Sequence, residues 1–547
     1  MRDIKKILCL FILFPYLVVS QVSVSQFPKD LQLFKRDTIS NTATVTISGQ
    51  VEAASGFSSL VLETYENNVL LNSLHHLLYF NDNVADFEFS ENITAGLISY
   101  QFILKSNTGV IIREASNVVA GDIYIMNGQS NAIRNSYANS PFPYQNNFIR
   151  TFLLDAQEWS SDPNPFIFGG IGYWFAQSIV DNQNIPVLLL NGGEGGKSIS
   201  HFQRNEEHAS DLETNYGRLL SRYNEAHFTS GDVRGIIWFQ GEANAFTSID
   251  NYVSAYNNLY EAWNEDYAPD YYYIFQVRYG CDIPETSEYR KHFQTPEAHR
   301  RLGLFANTRI ISTNATTKGF DDCHYYGTNA YANLANRLYD IVAYDFYDSN
   351  NNSGIYSPNV ENIRFTNSIK NQIKFDLIPE SDTYFWQNGV ENDFWIEDNN
   401  DIIVSNGSIT GNTVTLNLSG SITALEPKLS YLGHNPNDSP FIINQNSIGM
   451  LSFKEIDISD STLANDKFSI DDFSIYPNPV TDVVYISSKL LVNSTVVLYD
   501  ITGKKVYKGE QSNKNLIKID VSNISSGQYF VKILNQYTTS TKLLIIK

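Results

Sequence analysis

The alternation of apolar and polar positions changes twice between residues 22 and 460, which separates three regions. Over residues 22–117, runs such as "ATVTISGQV" and "ISYQFILKS" alternate with period two between Asn, Asp and Gly clusters, which predicts a small β-sandwich. Over residues 118–345, runs that are apolar throughout alternate with helix-like segments. Residues 346–460 return to short β-like runs with polar turns such as "HNPNDSP". The pattern therefore predicts an α/β domain between two β-rich domains.

The central segment is typical of a parallel sheet covered by helices on both faces. Apolar strands are predicted over residues 123–126, 187–190, 236–239, 272–277 and 310–312. Helices are predicted in "GYWFAQSIVDNQ", "SIDNYVSAYNNLYEAWNEDY" and "GTNAYANLANRLYDIVAYDF". The last segment would carry on one helical face the apolar residues Ala330, Leu334, Leu338, Ile341 and Val342. Such sheets bind ligands at the carboxyl ends of their strands, so the residues after each strand are the first candidates for function.

The N-terminus has the pattern of an export signal. Arg2, Lys5 and Lys6 precede an apolar run over residues 7–19, and a small residue follows it, which predicts a signal peptide over residues 1–20. This run is too short to span a membrane comfortably, and no other run is apolar for long enough. We therefore expect a soluble exported protein without an integral membrane segment.

The C-terminus is predicted to be a separate module. A polar linker is predicted over residues 461–471, and residues 472–547 contain short strands such as "YFVKIL", in which Tyr529, Val531 and Ile533 alternate with polar or exposed positions. Residues 477–547 contain nine Lys against four Asp or Glu, although the whole chain has a net charge of −21. This reversal of charge indicates a unit distinct from the rest of the chain.

Composition narrows the classes of function. A chain of 547 residues exceeds what one hydrophobic core organises, and 42% hydrophobic with 18% charged residues is typical of globular domains. The acidic balance, without a long basic run, argues against a nucleic-acid partner. Two stretches rich in His and acidic residues, "HFQRNEEH" and "DDCH", lack the spacing of common metal motifs. Neither a metal nor a cofactor is predicted.

Two cysteines would remain after removal of the predicted signal peptide. Cys281 and Cys323 would be an even pair in an oxidising compartment, which favours a disulfide. Closing this loop of about 42 residues would stabilise the fold by ~4 kcal/mol on the chain-entropy model. Two buried free thiols are the alternative.

The predicted strand ends carry the groups that acyl transfer requires. Ser130 follows the first strand, and the glycine-rich loop "NGGEGGKSI" follows the second. Gln240 and Glu242 follow the third strand, and Asp321 and His324 follow the fifth. Each of these is ordinary by itself, because a serine after a strand is usually a turn or a helix cap. Their ordered occurrence at successive strand ends favours one shared catalytic site.

These groups predict a serine nucleophile with an imidazole base. A serine hydroxyl keeps its proton at neutral pH, and His324 is suited to removing that proton from Ser130. Asp321 lies three residues before His324 and would orient the imidazole and stabilise its cation. Asp322 competes for this role. The chain lacks a G-x-S-x-G elbow at Ser130, which disfavours a standard α/β-hydrolase.

An oxyanion hole is predicted around the same serine. The candidate donors are the backbone N–H of Ser130, the backbone N–H of Gly196 and the side-chain amide of Gln240. Loss of one such donor typically costs roughly 3 kcal/mol of transition-state stabilisation. Gly195 and Glu242 are predicted to support this site.

Four ordered blocks resemble the sialate O-acetylesterase-like branch of the SGNH hydrolases. They are "GDIYIMNGQSNA", "LLLNGGEGGKSISHF", "WFQGEANA" and "DDCHYYGTNAYANLANRL", within about residues 95–345. The resemblance implies a flavodoxin-like three-layer α/β/α fold and serine esterase activity on acetylated sugars. It implies that Ser130 is the nucleophile and that Asp321 and His324 are its partners. Gln240 fills the amide position of the third block.

The glycine block departs from the pattern of that family. The Gly195-Gly196 pair is kept, but the family commonly has Trp before it and Thr after it, where this chain has Glu194 and Lys197. Phe202 stands where the family often has another Trp. These positions lie near the expected substrate face. The sugar therefore stays open among sialic acid, xylan and other acetylated glycans.

The C-terminal segment resembles the type A sorting domain of the type IX secretion system, on "FSIYPNPVTDVVYI", "LYDITGKKVY" and "GQYFVKILNQYTTSTKLLIIK". The resemblance implies recognition by that machinery and passage from the periplasm across the outer membrane of a Gram-negative bacterium. Together the two resemblances predict a secreted or cell-surface carbohydrate O-acetylesterase that uses a Ser-His-Asp triad and an acyl-enzyme. The alternative is a catalytically inactive sugar-binding or adhesive surface protein, in which the 13% aromatic content would supply sugar contacts.

Overall fold

The computed structural model describes residues 21–134, 146–162, 168–278, 293–317, 325–399, 401–431, 440–460, 473–487, 494–502, 504–511, 516–534 and 539–547. The chain divides into two compact units, Met1–Ala120 and Gly121–Lys547. Several predicted features lie outside the described residues, namely the signal peptide over residues 1–20, the linker over residues 461–471, Cys281, Asp321, Asp322, Cys323 and His324.

Antiparallel strands build the N-terminal unit. They are β1 (Val22–Gln26), β2 (Leu33–Lys35), β3 (Thr42–Glu52), β4 (Ser59–Glu66), β5 (Val69–Leu77), β6 (Val84–Thr94), β7 (Tyr100–Ser106) and β8 (Ile111–Gly128), the last of which continues into the second unit. β3 pairs with β1 and β6, β4 pairs with β5 and β7, and β7 pairs with β8. Along β3, Ala43, Val45 and Ile47 are buried, whereas Thr44, which lies between Ala43 and Val45, is exposed. The predicted period-two alternation is confirmed here.

A parallel sheet lies at the centre of the second unit. Besides β8 it contains β9 (Ile149–Leu153), β10 (Glu158–Ser160), β11 (Val187–Asn191), β12 (Val233–Phe239), β13 (Tyr271–Gln276) and β14 (Thr308–Ser312). The order is β10-β9-β11-β8-β12-β13-β14, and all pairs are parallel except β10 with β9. Every residue of β11 is buried. The five strands predicted from apolar runs are all present, because strands covered on both faces exclude exposed polar positions.

Helices connect the parallel strands. They are α1 (Ser130–Ile133), α2 (Gly170–Gln183), α3 (Asn215–Glu225), α4 (Ile249–Asp266), α5 (Thr295–Leu302) and α6 (Thr328–Phe346), with short 3-10 turns at Ile199–Phe202 and Glu242–Asn244. The side-chain oxygens of Thr214 and Ser248 accept backbone N–H bonds at the starts of α3 and α4, as N-caps do. The predicted apolar face of α6 is wholly buried, and α6 packs against α2. Neither α3 nor α5 was predicted. On α3 the residues Tyr216, Leu219, Leu220 and Tyr223 have helical spacing and share a buried face, so this helix was open to prediction. The eight residues of α5 mix charged residues with few apolar ones.

Antiparallel strands form the rest of the second unit. The segment after α6 contains β15 (Asn359–Phe365), β16 (Gln372–Ile378), β17 (Tyr384–Trp386), β18 (Phe394–Ile396), β19 (Val404–Thr410), β20 (Thr413–Leu418), β21 (Lys428–Tyr431), β22 (Ile442–Asn444) and β23 (Phe453–Asp457). The C-terminal segment contains β24 (Ser474–Tyr476), β25 (Val483–Ser487), β26 (Ser494–Asp500), β27 (Lys505–Gln511), β28 (Leu516–Asp520), β29 (Gly527–Leu534) and β30 (Thr539–Ile546). Tyr529, Val531 and Ile533 of β29 are buried in a C-terminal apolar core, as their alternation predicted. Among the helices that the structure describes, none combines the length and hydrophobicity needed to cross a membrane.

Candidate active site

Gly128 lets the carboxyl ends of β8 and β12 approach each other. Its φ is 140°, and a Cβ at this position would lie 2.1 Å from the carbonyl oxygen of Phe239. The next residue, Gln129, donates its backbone N–H to that same oxygen at 2.9 Å. Only glycine tolerates both this φ and this contact. The neighbouring strand therefore sets the turn that leads from β8 to Ser130.

Ser130 is the first residue of the single helical turn α1. The N–H of Ala132 donates to the carbonyl of Gln129 at 2.8 Å, and the N–H of Arg134 donates to the carbonyl of Ser130 at 2.7 Å. Ser130 is half-buried, whereas Asn131 after it is fully buried. The strand-turn-helix geometry therefore keeps the candidate nucleophile partly exposed at the carboxyl edge of the sheet, where ligands of such sheets bind.

The glycine-rich loop after β11 lies beside Ser130, as predicted. The N–H of Glu194 donates to the carbonyl of Gly128 at 2.8 Å, which joins this loop to the end of β8. A Cβ at Gly195 would lie 3.9 Å from the Cβ of Ser130. Gly196 has a φ of 71°, a left-handed conformation that favours glycine. The structure thus brings Gly195 and Ser130 together.

The side chain of Gln240 is wholly buried and directs its amide nitrogen inward. That nitrogen lies 3.2 Å from Oε1 of Gln129, 3.1 Å from the carbonyl oxygen of Lys197 and 2.7 Å from Oδ1 of Asn244. Three acceptors therefore surround two hydrogens. Sequence reasoning expected this amide to face an oxyanion, whereas in the structure it joins the loops after β8, β11 and β12. The physical reason is that each loop end presents an oxygen to it at hydrogen-bond distance.

Glu242 supports α1 from the protein interior. Its Oε1 accepts a hydrogen bond from Nδ2 of Asn131 at 2.6 Å, and the hydroxyl of Tyr331 donates to Oδ1 of the same Asn131 at 2.6 Å. Among the described residues, the other carboxyl oxygen of Glu242 is buried without a hydrogen-bond partner. Burial raises the pKa of Glu242 to about 7. Glu242 therefore contacts the residue that follows Ser130, and its supporting role stays a prediction.

Sequence reasoning missed three residues of this network, which are Gln129, Asn131 and Tyr331. Gln129 and Asn131 flank Ser130 in the motif that identified it, so their fully buried side chains could have been suspected from that adjacency. Tyr331 lies 200 positions after Asn131. No spacing rule connects two residues so far apart.

The chain that follows His324 runs beside α1. The guanidinium of Arg134 lies 3.8 Å from the ring centroid of Tyr325, and the ring of Tyr326 lies 6.1 Å from that of Phe239. His324 and its candidate partners are outside the described residues. The two residues immediately after them contact Arg134, which follows α1, and Phe239, which ends β12.

Charged side chains surround the glycine loop at the positions that depart from the family pattern. Oε2 of Glu194 lies 2.9 Å from Nε2 of His201 and 2.9 Å from Nη2 of Arg218, and Oε1 lies 3.4 Å from Nζ of Lys197. Burial acts to raise the pKa of Glu194, but the His201 hydrogen bond and charge hold it below its ordinary value. These four side chains, which we call the basic rim, keep about a third or more of their surface exposed. Phe202, in contrast, is buried against Trp238.

The first of the two stretches rich in His and acidic residues, "HFQRNEEH", has other partners in the structure. His201 contacts Glu194, and Glu206 pairs with Arg204 at 2.7 Å. Within the described part of the chain, no three His, Cys, Asp or Glu residues converge as metal ligands would. The stretch "DDCH" lies outside that part.

Comparison with known proteins identifies two regions of the chain. Residues 120–343 match the family described as carbohydrate esterase, sialic acid-specific acetylesterase, and residues 474–547 match the secretion system C-terminal sorting domain. A search of curated proteins gives no match.

Among three solved structures that match the chain, one aligns with a TM-score above 0.5. A carbohydrate acetylesterase from Xanthomonas citri aligns with a TM-score of 0.55 at 16% identity, over 79% of this chain and 99% of that one. A protein from Arabidopsis thaliana aligns with a TM-score of 0.34 at 19% identity, over 41% of this chain and 99% of that one. A carbohydrate esterase family 2 enzyme from Corynascus thermopiles (Myceliophthora fergusii) aligns with a TM-score of 0.27 at 10% identity, over 59% of this chain and 99% of that one.

These matches agree with the residues described above. The esterase match contains the strand ends around Ser130, and the sorting match contains the C-terminal strands β24 to β30. The sorting domain indicates type IX secretion to the cell surface or the extracellular space. Residues 120–343 therefore form a domain of the sialic acid-specific acetylesterase family of carbohydrate esterases, and residues 474–547 form a secretion sorting domain.

Proposed function

We propose that the protein is a secreted serine esterase that removes O-acetyl groups from carbohydrates through a Ser130-His324-Asp321 triad. The observation that carries this proposal is the packing of Tyr325 on Arg134 at 3.8 Å. It sets the residue after His324 next to the helical turn that begins at Ser130. Asp321 and His324 are otherwise assigned from the sequence alone.

The reaction follows from the chemistry of these groups. Oγ of Ser130 attacks the acetyl carbonyl carbon while His324 takes the hydroxyl proton. The tetrahedral intermediate collapses, the ester C–O bond breaks, and His324 returns the proton to the departing sugar oxygen. Water, deprotonated by His324, then attacks the acetyl-enzyme and releases acetate. Asp321 holds the imidazole in the tautomer that accepts the proton.

The oxyanion donors in this proposal are the backbone N–H groups of Ser130 and Gly196. Both belong to loops that a hydrogen bond joins, from the N–H of Glu194 to the carbonyl of Gly128. Because the amide hydrogens of Gln240 are directed at internal acceptors, we assign Gln240 the task of holding those loops. Backbone donors fixed in this way require no reorganisation during reaction.

The proposed architecture is a flavodoxin-like three-layer α/β/α domain over residues 118–345. It is supported by the strand order β11-β8-β12-β13-β14, which corresponds to the 2-1-3-4-5 order of that fold. We further propose an N-terminal β-sandwich over residues 22–117, a β-rich domain over residues 346–460 and a sorting module over residues 472–547. A signal peptide over residues 1–20 would deliver the chain to the periplasm before type IX secretion.

The proposed substrates are acetylated sugars that carry a carboxylate, as sialic acids do. This is supported by the basic rim, in which Lys197, His201 and Arg218 surround the single carboxylate of Glu194. The cationic side chains exceed the acidic one, so the rim would attract an anionic sugar.

Hydrolysis of a chromogenic acetate ester tests the proposed function. Wild-type protein should release the chromophore, and Ser130→Ala should lower kcat by about a thousandfold or more. Ser221→Ala on α3 removes a half-buried hydroxyl outside the site, which donates to the carbonyl of Ser210 at 3.4 Å, and should leave turnover unchanged. Equal turnover by wild type and Ser130→Ala would end the proposal, and glycan binding without acetate release would favour the inactive sugar-binding alternative.

Two further measurements resolve the parts of the triad. Asp321→Asn should lower kcat by about 10³–10⁴-fold and Asp322→Asn should not, if Asp321 orients the imidazole. Acid quenching during turnover, followed by mass spectrometry, should find one acetyl group on the peptide that contains Ser130. Acetyl on any other residue, or on none, would exclude the proposed acyl-enzyme.

A further inference from the structure

His299 lies wholly buried on α5, behind the strand ends that carry the candidate site. The backbone N–H of Val277 donates to Nδ1 of His299 at 3.3 Å, so this nitrogen accepts and the ring hydrogen lies on Nε2. Nε2 is 2.9 Å from the hydroxyl oxygen of Tyr252. Burial lowers the pKa of His299 to about 3, against a smaller opposite effect of the Gln240 backbone. The imidazole is therefore a neutral donor directed at Tyr252.

The hydroxyl of Tyr252 lies between the imidazole of His299 and the side chain of Gln240. Its oxygen accepts from His299, and also from Nε1 of Trp238 at 3.3 Å. Its own hydrogen faces Oε1 of Gln240 at 2.8 Å and the backbone oxygen of the same residue at 3.0 Å. Since a hydroxyl has one hydrogen, the two donors on its oxygen leave that hydrogen for Gln240. Together with the three acceptors around Nε2, these contacts identify which end of the Gln240 amide is the oxygen.

The opposite end of the amide holds two loops of the candidate site. The nitrogen of Gln240 faces Oε1 of Gln129, the residue before Ser130, and the carbonyl of Lys197, the residue after Gly196. A reversed amide would set its oxygen against both of these oxygens. Repulsion between buried acceptors would then replace two hydrogen bonds. The orientation of Gln240 therefore decides whether the two loops are held together.

Gly241 brings the imidazole close to this turn. A Cβ at Gly241 would lie 2.7 Å from Cε1 of His299, and the φ of Gly241 is 151°. The N–H of Gly241 also donates to Oε1 of Gln129 at 3.2 Å. His299 is thus packed directly on the backbone that leads from Gln240 to Glu242, and is not a remote core residue.

We propose that His299 and Tyr252 are positioning residues for acetyl transfer. They act through the amide of Gln240, which contacts the side chain of Gln129 before Ser130 and the backbone carbonyl of Lys197 after Gly196. Neither residue touches the reacting atoms. The inference rests on the proposed function, because the donors it positions are the proposed oxyanion donors. Misplaced donors slow the chemical step and leave ground-state sugar contacts in place.

The Tyr252→Phe variant removes the hydroxyl and keeps the ring. We expect kcat on a chromogenic acetate to fall about tenfold to a hundredfold, with KM changed by less than about threefold. The matched control is Tyr223→Phe on α3, which removes another buried hydroxyl, bonded to the carbonyl of Thr229 at 2.6 Å. This control should lower the melting temperature without lowering kcat. A Tyr252→Phe enzyme with wild-type kcat, or an equal loss in the control, would overturn the proposal.

Two variants of His299 test the donor role directly. His299→Gln retains an N–H that can reach Tyr252 and should keep kcat within about fivefold of wild type, whereas His299→Phe has no donor and should match Tyr252→Phe. The pH profiles of kcat for wild type and the His299 variants should differ in height and not in apparent pKa, because the imidazole of His299 stays neutral across the pH range of activity. A displaced apparent pKa in His299→Gln would mean that His299 itself transfers protons, which contradicts a positioning role.

A crystal structure of Tyr252→Phe provides a readout that does not depend on turnover. The amide of Gln240 should rotate, or its contacts to Gln129 and Lys197 should lengthen. Unchanged contacts would overturn the inference even in an active enzyme. If Gln240 moves in the variant but the wild-type protein has no esterase activity, the positioning of Gln240 by Tyr252 would stand and the proposed function would be rejected.

Discussion

The N-terminal unit and the strand ends around Ser130 use polar side chains in opposite ways. In the N-terminal unit, polar pairs such as Thr44 with Asn92 and Gln50 with Asp86 lie on exposed strand faces. Around Ser130, the side chains of Gln129 and Gln240 have no exposed surface. Exposed pairs exchange protein partners for water at little cost, whereas a buried polar group must find a protein partner.

This difference predicts that substitutions of polar side chains cost less stability in the N-terminal unit than around Ser130. The buried amide nitrogen of Gln240 has acceptors on three loops, which holds those neighbours at fixed distances. The loops that carry Ser130 and Gly196 are tied to each other through such an amide. The site is therefore built from buried hydrogen bonds, while the N-terminal sheets are built from backbone ladders and an apolar interior.

Replacement of a glycine in each region should give the largest contrast. Gly128→Ala adds a Cβ 2.1 Å from the carbonyl of Phe239, at a φ of 140°, and should destabilise the fold by about 4 kcal/mol or more. Gly56→Ala in the N-terminal unit has a φ of 72° and no atom within 4 Å, and should cost only about 1–2 kcal/mol. Urea unfolding measures both. Equal losses would show that the close contact at Gly128 is relieved elsewhere.

Glu297 should give the next largest effect on stability. Its buried carboxylate accepts from Arg300 at 2.8 Å and from Arg301 at 2.9 Å. Burial acts to raise the pKa of Glu297, but the charge of Arg300 lowers it below 4.5 overall. Glu297→Gln should therefore destabilise the protein by about 2–4 kcal/mol at pH 7.

The pH dependence of the Glu297 effect has a definite sign. Because the folded pKa is depressed, the stabilisation is present above pH 4.5 and is lost as pH falls through the folded value. The difference between wild type and Glu297→Gln should shrink in acid. A difference that grows below pH 4 would contradict the ion-pair assignment.

Glu242 should respond to pH in the opposite direction. Its pKa is raised by burial from 4.5 to about 7, so the favourable neutral form is present below pH 4.5 and is lost as pH rises to about 7. Glu242→Gln keeps an oxygen for Asn131 and removes the charge. Relative to wild type, this variant should gain about 1–3 kcal/mol of unfolding free energy between pH 5 and pH 8. A flat difference across that range would mean that the carboxylate is paired when ionised.

The basic rim should give the smallest effect, confined to substrate choice. Arg218→Met should raise KM about tenfold for an acetylated sugar with a carboxylate and leave a neutral acetylated sugar unchanged. The control is Arg364→Met, whose partner Asp376 lies on β16. This variant should leave the KM of both sugars unchanged. Equal effects on both sugars would assign the rim a structural role and return the proposed carboxylate specificity to an open question.

The fold was largely predictable from the sequence because its signals are local. The central residues of β8, β11, β12, β13 and β14 are apolar, as in Ile123–Met126 of β8, and α6 repeats apolar residues on one face. The helices α3 and α5 were not predicted. In α5, "TPEAHRRL" contains two Arg that pair with the buried Glu297, so the stability of this helix depends on contacts that its own hydrophobic pattern does not reveal.

The candidate site was predictable only in part. Ser130, Gly195 and Glu242 stand after apolar strands, and the structure brings each of them to the same sheet edge. The amide of Gln240 was expected to face an oxyanion. In the structure it faces internal partners instead, which are contributed by three loops and by Tyr252. The predicted pairing of Ser130 with His324, and the predicted disulfide between Cys281 and Cys323, stay predictions.

The sequence by itself determined which segments are strands and helices, and which reactive groups follow the strands, because burial imposes a period on residues that are close in the chain. Only the tertiary structure decided which atoms of those groups face one another. The contacts of Tyr331 with Asn131, and of His299 with Tyr252, join residues far apart in sequence. Hydrogen bonds act over about 3 Å in space, and no local pattern of side chains encodes that distance.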